Sequence, residues 1–156
     1  MSFTSSSGTR GAKQPRNGLF MRLINRMMSR RIRNGGKLMG NSDGLVLKTV
    51  GRKSGEPRSN PVNYFPGPNG SWLIVASAAG APKNPDWYHN IAANPDRVQI
   101  ELPGRTVSVR AEQLHGEERE SAWRQITQTS PLFARYATKT DRELPIIRLT
   151  EQTPTS

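Results

Sequence analysis

Val98, Ile100 and Leu102 alternate with polar residues up to Pro103-Gly104, and Val107, Val109 and Ala111 alternate in the same way after it. Alternation with a period of two gives a strand one apolar and one polar face, and a Pro-Gly pair between two such runs closes an antiparallel hairpin. The hairpin constrains the chain more than any other feature, because its apolar face must be covered by other elements of the same short sequence. A strand from Leu45 to Val50 is expected upstream, followed by strands Ser59 to Phe65 and Ser71 to Ser77 around the turn Pro66-Gly67-Pro68-Asn69-Gly70. Asn84 is placed to cap a short helix, with Pro85 at its first position and an end near Asn94-Pro95. Glu117 to Thr127 is helical in propensity, Pro131 opens a further helical piece, and Ile146 to Leu149 supplies a last strand. Short antiparallel strands with few helices predict a mainly β domain with flanking helices, a small closed or partly open barrel. At 156 residues the chain is the size of one domain.

The formal net charge of +11 is unevenly spread. Nine Lys and Arg and no acid fall between Met1 and Lys37, leaving 14 basic and 12 acidic residues for the remainder. Met1 to Asn17, rich in Ser, Thr, Gly and basic residues without periodicity, reads as a disordered basic arm. From Gly18 the pattern changes: Leu19, Phe20, Leu23, Ile24, Met27, Met28 and Ile32 recur at helical spacing with arginines between them, a basic amphipathic helix over 18–36. The barrel domain is expected over 37–153. Arg22, Asn25 and Arg26 interrupt the apolar run, so neither a signal peptide nor a spanning helix fits, and a cytoplasmic protein is expected. The helix suits either a barrel face or peripheral contact with an anionic membrane. Without cysteine, disulfides and thiolate chemistry are excluded, and with only His89 and His115 no metal site is expected.

Two segments bear chemistry. Gly51-Arg52-Lys53-Ser54-Gly55-Glu56-Pro57-Arg58 joins two strands with two glycines, a hydroxyl and three cations. Glycines let backbone approach an anion and the cations supply charge-assisted donors, which suits a phosphate; a solvated hairpin turn has the same composition. In Val75 to Tyr88 a strand delivers small residues into a loop that feeds a helix start bearing Asp86, Trp87 and Tyr88. Small side chains clear space for a flat ring and the helix start offers free N–H groups; the aromatics equally suit the core.

The strings GRKSGEPRSNPV and SAAGAPKNPDWYHNIAANP, covering Gly51 to Val62 and Ser77 to Pro95, resemble the deazaflavin-dependent nitroreductase family of actinobacteria, reductases that use reduced coenzyme F-420. The likeness extends more weakly from Leu38 to Glu151 and includes Tyr136 and Thr140-Asp141-Arg142. It implies an FMN-binding-like split β-barrel whose groove holds the coenzyme, the anionic tail on Arg52, Lys53, Ser54 and Arg58. The ring would rest against Pro61, Val62 and the strand end Ala76, Ser77 and Ala78, with Asp86, Trp87 and Tyr88 alongside. Some relatives carry lysine in place of Ala78 and tyrosine in place of Phe133. A hydride would pass to a small acceptor, a quinone, activated enone or nitro compound, with Ser77 and Tyr136 as the O–H donors that polarise its oxygen.

FMN is the alternative cofactor, since a phosphate turn does not discriminate between the two. A nucleic-acid partner is not expected, because the basic residues are not interleaved with aromatics on the barrel strands as a stacking platform requires. A monomer or a homodimer is compatible with the sequence.

Overall fold

The computed structural model describes Phe3, Gly8 and residues 19–35, 43–77, 83–140 and 142–152. In chain order the elements are α1 (Leu19–Arg33), β1 (Gly44–Val50), β2 (Pro57–Asn63), β3 (Phe65–Pro66), β4 (Trp72–Val75), α2 (Asp86–Ala93), β5 (Val98–Leu102), β6 (Arg105–Gln113), α3 (Gly116–Thr129), α4 (Pro131–Lys139) and β7 (Ile146–Glu151). The strands form one sheet in the order β2-β1-β5-β6-β7-β4-β3, every pair antiparallel. The sheet curls until β2 approaches β4 without a ladder between them, which leaves the barrel split along that seam.

Local chemistry explains the arrangement. Leu102 pairs with Arg105 across a two-residue turn in which Gly104 takes a φ of 76°, a conformation that favours glycine. Pro57 and Pro61 lie on β2, an edge strand, where a missing N–H costs no ladder bond. The strand expected over Ser59 to Phe65 breaks at Tyr64, because Phe65 leaves β1 and pairs with Leu73 of β4. The expected cap at Asn84 is also corrected. Pro85 is the N-cap of α2, and the Asn84 side chain accepts a hydrogen bond from Arg142 instead.

The apolar residues sort into two clusters on opposite faces of β4 and β7. Inside the barrel, Leu45 and Leu47, Ile74 and Ala76, Val98 and Ile100, Val107, Val109 and Ala111, and Ile147 and Leu149 pack around Trp87, Tyr88 and Ile91 of α2. Outside it, Leu73, Val75 and Ile146 meet Ala122 and Ile126 of α3 and Phe133 of α4. Burial on both faces accounts for the nearly continuous apolar sequence of these two strands.

The helix α1 lies against β1, β2 and β5. It does not present its whole apolar stripe to them: Ile32 and Ser29 are buried, while Leu23 and Met27 are 52% and 64% exposed. The helix is therefore rotated so that one margin of the apolar arc packs and the other faces solvent. Arg33 fixes the rotation by donating to Glu101 of β5, which also pairs with Lys48 at 3.2 Å. The hydrogen bond from Arg33 leads the effects that hold the Glu101 carboxyl below the usual carboxylate range, against the smaller opposing effect of burial. Of the arm at 1–17, Phe3 and Gly8 alone are described; Phe3 packs edge-on against Tyr88 with ring centroids 5.9 Å apart. The rest of that expectation lies outside the described residues. Among the described residues no helix is long and apolar enough to cross a membrane.

Candidate active site

A cavity of about 870 Å³ opens beside the β1–β2 hairpin. Its walls are the turn residues Gly51, Arg52, Lys53 and Ser54, the edge residues Pro57 to Asn60, Asp86 and Asn90 of α2, and Arg22, Asn25, Arg26, Ser29 and Arg33 of α1. Six cations and a single carboxylate thus face one space.

The turn is built by its own backbone. The N–H of Gly51 donates to the Glu56 carbonyl at 2.8 Å and the N–H of Gly55 to the Gly51 carbonyl at 2.8 Å, with Gly55 at a φ of 72°. A Cβ at Gly51 would come within 2.7 Å of Ser54 Oγ, so a side chain there would displace that hydroxyl. Ser54 Oγ accepts from the Glu56 N–H at 3.2 Å, which leaves its own O–H as a donor.

Asn90, 5% exposed, holds the turn against α2. Its Oδ1 accepts from both the backbone N–H and the guanidinium of Arg52, each at 3.1 Å, and its Nδ2 reaches Thr49 Oγ1 at 3.5 Å. Arg52 also faces Asp86 at 3.7 Å. Arg52 is therefore spoken for, as is Arg33 by Glu101. Arg22, Arg26, Lys53 and Arg58 make no ion pair among the described residues, and their charge in the cavity is uncompensated.

The remaining site residues separate by face. Val62, paired with Leu45, joins the interior cluster at its margin, and Pro61, paired with Val46, is half-buried on the edge strand. Ala76, Trp87 and Tyr88 are buried in the barrel core rather than open alongside the groove. The Tyr88 hydroxyl donates to Gln113 Oε1 at 2.7 Å, and burial raises its pKa. Ala78 lies outside the described residues. Ser77 lies two residues past the end of β4 and is half-buried, and Tyr136 packs at the margin of the outer cluster beside Phe133. Neither the Ser77 nor the Tyr136 hydroxyl makes a hydrogen bond to another described residue, so both O–H donors are uncommitted among them. Neither residue lines the basic cavity.

Two features escaped the sequence reading. Asn90 lies within the Ser77 to Pro95 segment, but nothing in a lone asparagine says that it will be buried and clamp an arginine. The arginines of α1 did carry a signal: Arg22, Arg26, Ser29 and Arg33 are spaced by four, three and four, a single polar stripe, which reads equally as a solvated face.

Comparison with known proteins identifies the family. Residues 20–151 match the family described as F420H(2)-dependent quinone reductase. The F420H(2)-dependent quinone reductase Rv1261c of Mycobacterium tuberculosis is 32% identical over 123 residues, covering 77% of this chain and 81% of that protein. The solved structure of the F420-H2 dependent reductase FDR-A superposes with a TM-score of 0.61 at 37% identity, over 68% of this chain and 92% of that one. A domain-swapped dimer superposes with a TM-score of 0.63 at 32% identity, over 83% of this chain and 96% of that one.

Proposed function

The chain belongs to the F420H(2)-dependent quinone reductase family, split-barrel oxidoreductases, and from that premise we propose that it passes a hydride from reduced coenzyme F-420 to a quinone. The observation that carries the site assignment is the set of uncompensated cations around one cavity. A polyanionic tail fits that donor set, whereas a neutral ligand would leave four like charges facing one another. Lys53 and Arg58 would hold the tail from the turn, and Arg22 and Arg26 from α1. Arg52, already oriented by Asn90 and Asp86, would offer its remaining donors to the same anion.

The coenzyme supplies the hydride, so the protein's task is to place the acceptor and stabilise the negative charge that develops on its oxygen. Ser77 and Tyr136 would donate hydrogen bonds to that oxygen. A preorganised donor of this kind acts mainly where charge develops, so it raises turnover more than affinity. No acid/base dyad is needed. Pro61 and Val62 would form the apolar wall for the ring, and Ala76, Trp87 and Tyr88 would support that wall from within the core. The test is anaerobic oxidation of reduced coenzyme F-420 by menadione, a nitroaromatic and an activated enone in parallel, with turnover expected for menadione. Equal rates with and without protein for all three would reject the reading.

The exposed Leu23 and Met27 support peripheral binding of α1 to an anionic membrane, where a lipid-soluble quinone would be at hand. Leu23→Ser/Met27→Ser is expected to reduce recovery of the full-length protein with anionic vesicles by at least half in sedimentation, without change in neutral vesicles. Equal recovery of variant and wild type would remove the membrane from the account.

A further inference from the structure

Arg142 is 5% exposed and none of the reaction chemistry above uses it. Its guanidinium lies where β4 runs out of partners. Ala76 still donates its N–H to Pro145, just before β7 begins, but the carbonyls of Ala76 and Ser77 point past the end of the sheet. Arg142 takes both: Nη1 donates to the Ala76 carbonyl at 2.9 Å and Nη2 to the Ser77 carbonyl at 2.8 Å. Nη1 also donates to Asn84 Oδ1, at the entrance to α2. The residue is braced in turn, since its backbone N–H donates to Oγ1 of the buried Thr140 at 3.1 Å.

The arrangement needs arginine. Two successive carbonyls and a side-chain amide are met by a planar fork whose donors are fixed relative to one another, and an ammonium, a point charge with a shorter reach, cannot span the three. The cost is a buried cation, and burial pulls the guanidinium pKa down from its ordinary value. One guanidinium ties two carbonyls at the end of β4 to the side chain of Asn84, so the fork does more than satisfy an acceptor. What it fixes is the backbone on which Ser77 stands, together with the entrance to the helix that carries Asp86 and Asn90.

We infer that Arg142 is a positioning residue for the reduction: it holds the Ser77 backbone, and with it the Ser77 hydroxyl, in the orientation that meets the acceptor oxygen. This rests on the role given to Ser77 above. Small displacements of a reacting group cost roughly a hundredfold in rate when they approach 1 Å. Loss of the fork should therefore lower turnover while Arg22, Arg26, Lys53 and Arg58, which sit on other elements, still hold the tail.

The experiment uses the full chain as wild type, Arg142→Lys and Arg142→Ala, with Arg119→Lys as control. Arg119 is a second buried arginine, donating to the Leu144 carbonyl at 2.9 Å but outside the site. Coenzyme affinity, kcat and KM with menadione, thermal midpoint, and amide exchange over residues 72–77 and 84–93 are measured for each. Arg142→Lys is expected to remain folded, to bind coenzyme F-420 within roughly threefold of wild type, and to lose roughly tenfold or more in kcat. Exchange should quicken over those two segments only. Arg119→Lys should lose a similar margin of thermal stability with kcat within roughly twofold, which separates positioning from general destabilisation. If Arg142→Ala does not fold, the Lys variant carries the test alone. A folded Arg142→Lys with unchanged kcat overturns the inference, as does an equal loss of kcat in Arg119→Lys. A wild-type chain that fails to oxidise the reduced coenzyme overturns the proposed function and the catalytic consequence together, while unchanged exchange in Arg142→Lys with an active wild type overturns the clamp alone.

Discussion

Replacing Lys53 and Arg58 together with alanine is expected to raise the dissociation constant for coenzyme F-420 by roughly a hundredfold. A hydrogen bond to a charged group contributes about 1.5–3 kcal/mol when formed away from water, and solvent exposure of this turn brings each contact toward the lower end, roughly tenfold apiece. The two losses together set the size of the effect, Lys53 acting from the turn and Arg58 from β2 on the same cavity. Folding should be unaffected, because both residues are exposed and make no ion pair among the described residues. Affinity should also fall with added salt more steeply in wild type than in the variant, because fewer unit charges remain to be screened. Titration of the coenzyme by fluorescence at two ionic strengths checks both statements. A double variant within twofold of wild type would remove the turn from the binding site.

Tyr136→Phe combined with Ser77→Ala is expected to lower kcat with menadione by roughly a hundredfold, with coenzyme affinity changed by less than threefold. Removing one preorganised donor to a developing oxyanion typically costs on the order of 10² to 10³ in rate, and a quinone oxygen, whose charge is delocalised over the ring, should sit at the low end. Neither hydroxyl is committed to another described residue, so neither substitution leaves a buried partner unsatisfied. The Tyr136 ring remains packed on Phe133, with centroids 5.7 Å apart, so the phenyl group keeps its place. Steady-state kinetics of the two single variants and the pair would show which hydroxyl matters. Unchanged turnover in the pair means that both are packing groups and that charge on the acceptor is stabilised from elsewhere.

Much of this architecture could be read from the residues in order. The β5–β6 hairpin followed from strict alternation and one Pro-Gly pair, and the β1–β2 turn followed from its glycines and cations. Long-range choices were less accessible. Helical spacing marked α1 as amphipathic, but which margin of its broad apolar arc would pack depends on the surface offered by β1, β2 and β5 and on the Arg33–Glu101 pair, 68 residues apart in sequence. Asn84 looked like a cap because a cap is a local property. The buried guanidinium of Arg142, 58 positions later, outbid the free N–H groups of the helix for its oxygen.

The site itself was legible in part. Cations and glycines in one turn are visible in a string of eight residues, and so were the aromatics of α2, whose motif suggested a ring face while the structure buries Trp87 and Tyr88 at 7% and 3% exposure. Motif position says which element a residue belongs to; the facing strands decide whether it points at a ligand or into the core. The contribution of α1 to the cavity arises the same way, from a polar stripe that any solvated helix would also show.

The central claim is that this chain uses reduced coenzyme F-420, held by these cations, to reduce a quinone. Its most direct test is a single anaerobic experiment in which full-length protein is mixed with menadione and either reduced coenzyme F-420 or reduced FMN, and the reappearance of the oxidised cofactor is followed by absorbance. Reoxidation of the deazaflavin that scales with protein concentration and saturates in both substrates, with reduced FMN consumed no faster than in the protein-free control, is the predicted result. Protein-dependent consumption of reduced FMN with no acceleration for the deazaflavin would contradict it.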